Sequence, residues 1–599
     1  MCGIAGLVDL SGQLPVQEVI DCALKAMQFR GPDGSGIHRG LNYAIGMRRL
    51  SIIDRDGGSQ PQSDESGQIR VVQNGEIYNF KSLRQNLISR GHSFKSFSDT
   101  EVIVHGYKEW GIDGLLSRID GMFVFAIVDE RKGVLHLARD RFGEKPLYYH
   151  FGCKTFGFAS NMKALIKALN LSKEIDPLSL KRYLALHYVP GARTIFKNIE
   201  RLLPGERIQV SLCNTHSKKL KYYNFLEIAE GENHGEDLES LLNTAVKTRL
   251  VGDVQIGVFL SGGLDSSLIT NLTAHHMPDI KTFSIGFNSI AHDESQHAQS
   301  VAKALGVDHH LVNFTEEDFT RTIPLVASAL DEPIGDQATL PTYKLCEEAS
   351  QYVKVVLSGE GADELFGGYN YYNQFERRFS PFAKLNSSRS ASQLNEFIDD
   401  SLSCTPSGFP LVMNREVRSF LMKNPLNESK DKWEEDIISS LNTVRNPLNR
   451  ACATDAMSWL PDNLLVKLDR MTMSKSIEAR CPFLEKNLAE YALKMSSSKK
   501  IKGKKSKVAL RSLGRKYLPR CAWKRNKQGF VLPMSPWIKK YLDKNGGPVH
   551  FVKDRNCSWL DEGAMIELIQ DWTSGIAGAE RALYALIIFL EWNSSFENH

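Results

Sequence analysis

No Cys-x-x-Cys pair occurs among the ten cysteines of this chain. Scattered cysteines of that kind argue against a disulfide framework or a zinc site and fit reduced thiols in a cytoplasm. A run of about 20 apolar residues is also missing, so no bilayer-spanning helix is expected. The first residues, Met1-Cys-Gly-Ile-Ala-Gly-Leu-Val-Asp9, lack a basic segment followed by a long apolar one. No signal peptide is therefore expected, and the expected compartment is the cytoplasm. Charge of one sign is scarce in excess: a net +4 over 599 residues is nearly neutral, which argues against a dedicated nucleic-acid binder. No internal repeat is evident. What remains, 42% hydrophobic and 24% charged, is ordinary globular composition. The length calls for two or more domains.

The chemistry is concentrated in short strings. Val254-Gln-Ile-Gly-Val-Phe-Leu260 is an apolar, β-branched-rich run, followed at once by Ser261-Gly-Gly-Leu-Asp-Ser-Ser267. A helix is predicted to begin near Ser266. Glycines let the backbone approach a ligand, and free N–H groups at a helix start attract anions, so the turn reads as a phosphate cradle. It is neither the Walker loop nor the dinucleotide glycine fingerprint. Around it, strands and helices alternate: strand 254–260, helix Ser267–His275, strand Lys281–Phe287, helix Asp293–Leu305, a short strand Leu311–Phe314, and an apolar strand Val353–Leu357. That alternation implies a parallel sheet with ligands at the carboxyl ends of its strands. Ser358-Gly-Glu-Gly-Ala-Asp-Glu-Leu-Phe-Gly-Gly368 also follows such a strand, so the two loops should share one crevice. Carboxylates beside a triphosphate are ordinarily explained by Mg2+.

Cys2 is a second candidate centre. Trimming of Met1 would put the thiol and a free α-amine on one residue. The amine, with a pKa of about 7.7–8.0, could take the proton of a thiol near 8.5, and such a nucleophile carries its own base. Alone, a cysteine near a terminus reads as incidental. Pro15–Gln28 has helical spacing of Val16, Val19, Ile20, Ala23, Leu24 and Met27 and is predicted to be a core-facing helix. Then follow Arg30-Gly-Pro-Asp-Gly-Ser-Gly36, Arg49-Leu-Ser-Ile-Ile-Asp54, Asn74-Gly-Glu-Ile-Tyr-Asn79, Ser98-Asp-Thr-Glu101, Gly121–Val128 and Arg139-Asp-Arg-Phe-Gly-Glu-Lys-Pro-Leu-Tyr148.

Taken in this order behind Met-Cys-Gly-Ile, these strings resemble the class II glutamine amidotransferase domain, an N-terminal-nucleophile hydrolase. The Ser-Gly-Gly-Leu-Asp-Ser-Ser string resembles the pyrophosphate loop of ATP pyrophosphatases. Together with Ser358–Gly368 and Ser476-Ile-Glu-Ala-Arg-Cys-Pro-Phe-Leu-Glu485, it matches the synthetase domain of glutamine-hydrolysing asparagine synthetases. The match covers nearly the whole chain. It implies an αββα sandwich, residues 1–212, a linker, 213–235, and a parallel-sheet α/β ATP-pyrophosphatase domain, 236–599: an α/β and α+β two-domain protein. The polar stretch Cys213–Lys221 and the acidic Glu227–Glu236 read as surface loop.

The resemblance implies that Arg49 holds the carboxylate of glutamine and that Glu76 and Asp99 hold its ammonium. Planar Arg suits a carboxylate. The Asn74 side chain and the Gly75 backbone would stabilise the oxyanion, each donor contributing on the order of 3 kcal/mol. Arg30 and Asp33 are read as shaping their loop. In the second domain the resemblance implies a pyrophosphate cradle of Ser261, Gly262, Gly263, Ser266 and Ser267. Asp265 and Asp363 would ligate Mg2+, Ser284, Gly286, Ser358 and Gly359 would lie against the nucleoside of ATP, and Glu360 near the amide-forming centre. Lys467 and Arg470 are both candidates for the cation at that centre. Lys527-Gln-Gly-Phe530 also fits the family, although Val531-Leu follows where many relatives have Gly-x-Pro. The basic run Lys499–Lys507 reads as a solvated loop.

The implied reaction starts with a Cys2 glutamyl thioester. Released ammonia then travels inside the protein to an acyl-adenylate made from ATP. Aspartate is the expected acceptor, with another carboxylate, such as a sugar acid, as the alternative. A non-catalytic scaffold or a nucleic-acid-modifying pyrophosphatase would be a different class. The expected partners are small molecules and a possible second copy in a homodimer, not nucleic acid or membrane.

Overall fold

Period-two patterning, with apolar residues on both faces of the central strands, dictates the N-terminal half. In the computed structural model, residues 2–231, 235–287, 295–373, 410–424, 444–524, 534–573 and 580–597 are described; Met1 and Lys527–Phe530 lie outside them. The strands are β1 (Gly3–Asp9), β2 (Gly34–Arg39), β3 (Tyr43–Arg49), β4 (Gln62–Ser63), β5 (Ile69–Ile77) and β6 (Gly121–Asp129). Then come β7 (Val134–Arg139), β8 (Tyr148–Phe151), β9 (Thr155–Ala159), β10 (Glu200–Arg201), β11 (Glu206–Ser211) and β12 (Ser217–Lys221). They form two six-stranded sheets, ordered β10-β8-β9-β1-β3-β2 and β12-β11-β7-β6-β5-β4; the registered pairs within them are antiparallel.

Ile4, Val8, Ile45 and Met47 of the first sheet pack on Val72, Val124, Ala126 and Leu137 of the second. Helix Val16–Ala26 covers the first sheet's outer face through Val19, Ile20, Ala23 and Leu24; burying each large side chain contributes about 1.5–3 kcal/mol. Helices Phe80–Ser89 and Asp99–Arg118 cover the second sheet. The result is the αββα sandwich.

Strand β12 departs from the sequence reading. The lysine-rich stretch expected to be surface loop pairs with β11, from Glu206 opposite Lys221 to Val210 opposite Ser217. Its lack of apolar alternation is that of an edge strand exposed to water, where lysines also discourage further pairing. The first sheet pair therefore extends beyond residue 212. Glu227 likewise falls in a short helix, Phe225–Ala229, in which Phe225, Leu226 and Ala229 are buried.

The second half is built on β13 (Ile256–Phe259), β14 (Lys281–Gly286), β15 (Asp308–Asn313), β16 (Val355–Leu357) and β17 (Glu478–Arg480). All pair in parallel, in the order β15-β14-β13-β16-β17. The chain winds from β13 to β15 on one side and then reappears at β16 on the other. The topological switch point thus lies between β13 and β16, and the loops after these two strands flank it. Strand β15 starts at Asp308, before the expected Leu311, because His309 is satisfied inside the sheet by Thr282 Oγ1 (2.9 Å) and Ser284 Oγ (3.0 Å). Strand β17 carries two charged residues and gave no strand pattern; the buried pair Arg480 Nε–Glu478 Oε1 (2.6 Å) makes it tolerable. Among the described residues no helix is long and apolar enough to cross a membrane, and the described cysteines are free thiols.

Candidate active sites

Cys2 precedes β1, a central strand, and is 7% exposed. Its backbone N–H donates to Asn74 Oδ1 (3.0 Å), so the facing sheet supplies the first partner. The Asn74 amide donates in turn to Ser160 Oγ (3.4 Å), which also accepts from Ile4 N (3.1 Å). Gly75 has φ +137°, and a Cβ there would stand 2.0 Å from the Met122 carbonyl oxygen. Only glycine lets β5 pass β6 this closely beside the cysteine. Burial pushes the Cys2 thiol up, while Arg49 lowers and Glu76 raises it; both charged groups therefore act on the sulfur.

Arg49 is anchored at the end of β3 by carbonyls of the next turn, Ile53 (3.1 Å), Asp54 (2.7 Å) and Arg55 (3.0 Å). Asp99 opens its helix behind the cap Ser98, and its carboxylate accepts from Ile77 N (2.8 Å) and Gln73 Nε2 (3.1 Å). Burial pushes it up to about 6. Glu76 is likewise pushed up, by burial and by Asp99 and Glu478 beside it, and its Oε2 is buried without a hydrogen-bond partner. A buried, partnerless carboxylate oxygen is costly unless a ligand supplies a donor. The expected glutaminase residues Cys2, Arg49, Asn74, Gly75, Glu76 and Asp99 thus come together in one neighbourhood.

A cavity of about 310 Å³ opens at the switch point of the second sheet. Ser261, Gly263, Asp265, Ser266, Ser284, Ser358, Gly359, Glu360, Asp363 and Lys467 line it. Three expected contacts do not. Gly262 turns at φ +73° with a virtual Cβ 2.6 Å from Ala298 N, so it shapes the loop against a neighbouring helix. Ser267 lies fully buried in the first turn of helix Leu264–His276, and Gly286 packs against Ser295. The hydroxyls of Ser261 and Ser266 meet at 2.9 Å across the loop.

Lys507 corrects the reading of its run as a solvated loop. It is 4% exposed, and its Nζ lies 2.5 Å from Asp265 Oδ2 and 2.6 Å from Asp363 Oδ1. Lys500 is also fully buried. Both aspartates therefore address one cationic point, and Asp265 Oδ1 remains buried without a hydrogen bond. That donor set, two convergent carboxylates beside a phosphate loop, fits Mg2+. Nothing in the local pattern distinguished Lys507 from its basic neighbours; only the fold brings it to the aspartates.

The two cation candidates separate. Lys467 lines the cavity and is paired with Asp336 (2.8 Å). Arg470, by contrast, is buried between the domains, bound to Asp331 (2.5 Å), Asp469 (3.0 Å) and the Ser160 carbonyl (3.2 Å). It stays outside the cavity, because two carboxylates and a carbonyl of the interface hold it there. Arg30, read as loop-shaping, donates from Nε to the Cys2 carbonyl (3.1 Å) and bidentately to Asp469 (2.8 and 2.9 Å). Arg480, in the Glu-x-Arg string to which no role was given, reaches within 3.8 Å of Glu76, while its carbonyl accepts from Ser358 N (2.9 Å). Arg480 thereby touches both centres.

An N-terminal-nucleophile sandwich joined to a pyrophosphatase-type sheet defines an ATP-dependent ligase that hydrolyses glutamine for its nitrogen. The chain belongs to the asparagine synthase family: residues 237–594 match the family model described as asparagine synthase, and residues 1–223 that of a glutamine amidotransferase domain. Asparagine synthetase [glutamine-hydrolyzing] 1 of Bacillus subtilis (strain 168) is 31% identical, over 99% of this chain and 96% of that protein. A putative asparagine synthetase [glutamine-hydrolyzing] of Mycobacterium tuberculosis (strain ATCC 25618 / H37Rv) is 30% identical, over 100% and 98%. Amidase chyE of Penicillium rubens is 27% identical, over 92% and 90%.

Proposed function

We propose that this chain amidates the side-chain carboxylate of aspartate with nitrogen from glutamine, cleaving ATP to AMP and pyrophosphate. The observation that carries this reading is the convergence of Asp265 and Asp363 on Lys507 at the Ser261–Ser267 loop, a place built for a departing pyrophosphate. Mg2+ held by the two aspartates would neutralise phosphate charge there.

In the first site, loss of Met1 frees the Cys2 amine to take the thiol proton, and the thiolate attacks the glutamine amide. The Asn74 amide and Gly75 N–H receive the oxyanion. Arg49 holds the substrate carboxylate, and Glu76 and Asp99 its ammonium. The Cys2 ammonium returns its proton to the departing nitrogen, ammonia leaves, and water later cleaves the glutamyl thioester to glutamate and the free thiol. Ammonia then passes between the domains, where Tyr78, Met122 and Met473 form a small buried cluster that keeps water from protonating it. In the second site the aspartate carboxylate attacks the α-phosphorus of ATP and expels pyrophosphate. Ammonia attacks the acyl carbon, AMP leaves, and the surplus proton goes to a base such as Glu360, which lines the cavity. Lys467 stands beside this centre to offset developing negative charge.

Lys467 and Glu360 give the cavity both signs of charge, as a zwitterionic acceptor requires. The test is aspartate-dependent exchange of labelled pyrophosphate into ATP. Exchange is expected with aspartate; none in a preparation that hydrolyses glutamine would overturn the acceptor. A second reading is the same chemistry on another carboxylate such as a sugar acid, since one relative similar over 92% of the chain is not named for asparagine. Exchange with that acid and not with aspartate would establish it.

A further inference from the structure

In the outer helical layer of the glutaminase half, two histidines face each other nitrogen to nitrogen. His92 follows helix Phe80–Ser89, and His105 lies within helix Asp99–Arg118; their Nδ1 atoms are 3.2 Å apart. Each presents its other nitrogen to a carboxylate. His92 Nε2 is 3.1 Å from Glu109 Oε2, and His105 Nε2 is 3.6 Å from Glu101 Oε1. Glu101 is itself fixed by Lys95 N (2.7 Å), Ser96 N (2.8 Å) and Ser96 Oγ (2.6 Å). The Glu109 carboxylate selects the Nε2–H tautomer of His92 and leaves a lone pair on its Nδ1, whereas His105 Nε2 is buried without a hydrogen-bond partner. The two Nδ1 atoms, 3.2 Å apart, therefore either share a proton or address one metal cation. Two imidazole nitrogens on one tetrahedral Zn2+, each at about 2.0–2.1 Å, stand roughly 3.3 Å apart.

A third donor is in place. Glu65, in the turn between β4 and β5, has Oε1 3.8 Å from His105 Nδ1, while Lys108 takes its Oε2 (2.5 Å). One ligand atom from each of Glu65, His92 and His105 falls within 4.8 Å of the other two, and among the described residues no other such group of His, Cys, Asp and Glu occurs. Two imidazoles and one carboxylate suit a first-row transition cation better than Mg2+ or Ca2+, which prefer oxygen throughout.

We propose that Glu65, His92 and His105 bind a divalent transition cation, Zn2+ foremost, which clasps the β4–β5 turn to the helix that begins at Asp99. The cation is structural: none of the three residues lines the cavity at the second sheet. The carboxylates of Glu101 and Glu109 orient the ligands, an arrangement common around protein-bound zinc.

The full-length protein, stripped with a chelator and dialysed, is titrated with ZnCl2 alone by calorimetry and with Co2+ by visible absorption. One equivalent per chain, a tetrahedral Co2+ spectrum and a raised melting temperature are expected. Cys2→Ala should bind equally, since the thiol is not a ligand. His92→Ala should lose that equivalent, and Glu109→Gln should bind about 10–100-fold more weakly. No uptake by the unmodified protein would overturn the proposal in favour of one protonated histidine held between carboxylates. Equal uptake by His92→Ala would overturn it in favour of other donors.

Discussion

Asp99 is a buried carboxylate pushed up to about 6, supported by one backbone N–H and one side-chain amide. A carboxyl with that value is ionised above pH 6 and neutral below it, so its attraction for the ammonium of glutamine is present above pH 6 and fades as pH falls through it. Glutaminase kcat/KM, which reports the free enzyme, should therefore rise with pH across this point and level off above it. Asp99→Asn should remove the limb near pH 6 and lower kcat/KM at pH 8 by roughly 10–100-fold, the range for one hydrogen bond to a charged group. A limb unchanged in the variant would count against the assignment. Cys2 is the second test at this scale. Cys2→Ala should bring glutamine-dependent synthesis to background and leave ammonia-dependent synthesis intact, whereas a scaffold would show neither activity in either form. Intact mass of the unmodified protein should lack Met1, because a retained Met1 would lock the amine in a peptide bond. Lys507→Ala is the mirror image: two carboxylates lose their shared cation, so synthesis from ammonia should fall while glutamine hydrolysis continues.

The elements show why some parts were legible and others hidden. The strand–loop–helix around Ser261–Ser267 was readable because a period-free apolar run, a glycine turn and an apolar helix stand in sequence order, and local rules suffice for each. Strands β12 and β17 were not readable, since pairing with β11 and burial of the Arg480–Glu478 pair decide them. Gly262 belongs to this scale: its backbone turns at φ +73° against a neighbouring helix, where an added Cβ would stand 2.6 Å from Ala298 N. Gly262→Ala combines a left-handed alanine, costing about 1–2 kcal/mol, with a steric clash. The KM for ATP should rise at least about tenfold, measured in the ammonia-dependent reaction, with glutaminase activity unchanged. An ATP KM within twofold of the parent would refute a shaping role for this glycine.

Across the whole molecule, buried ion pairs join the halves: Arg30–Asp469, Arg201–Glu332 and Arg201–Asp462. Removing one partner of a buried pair costs about 3–5 kcal/mol, while replacing both with apolar groups of similar volume is often neutral. Arg30→Ala should thus lower the melting temperature by several degrees, whereas Arg30→Lys, which keeps a cation beside Asp469, should lower it less. Because Arg30 also holds the Cys2 carbonyl, both variants should waste glutamine, making less amide product per glutamine hydrolysed. Equal coupling in the parent and both variants would show that this contact only stabilises.

Sequence by itself determined the chemical inventory: a thiol at position 2, the Asn-Gly pair, the serine- and glycine-rich loop with Asp265, and the second loop with Asp363. These lie in short contiguous strings whose backbone demands are local. Tertiary structure decided which cations serve which centre. Lys467 and Arg470 are one helical turn apart, yet one lines the cavity and the other is claimed by interface carboxylates. Lys507 meets Asp265 across 242 residues of chain and Arg30 meets Asp469 across 439. A charge's role depends on the charges that burial places beside it, and that placement follows from packing two domains together.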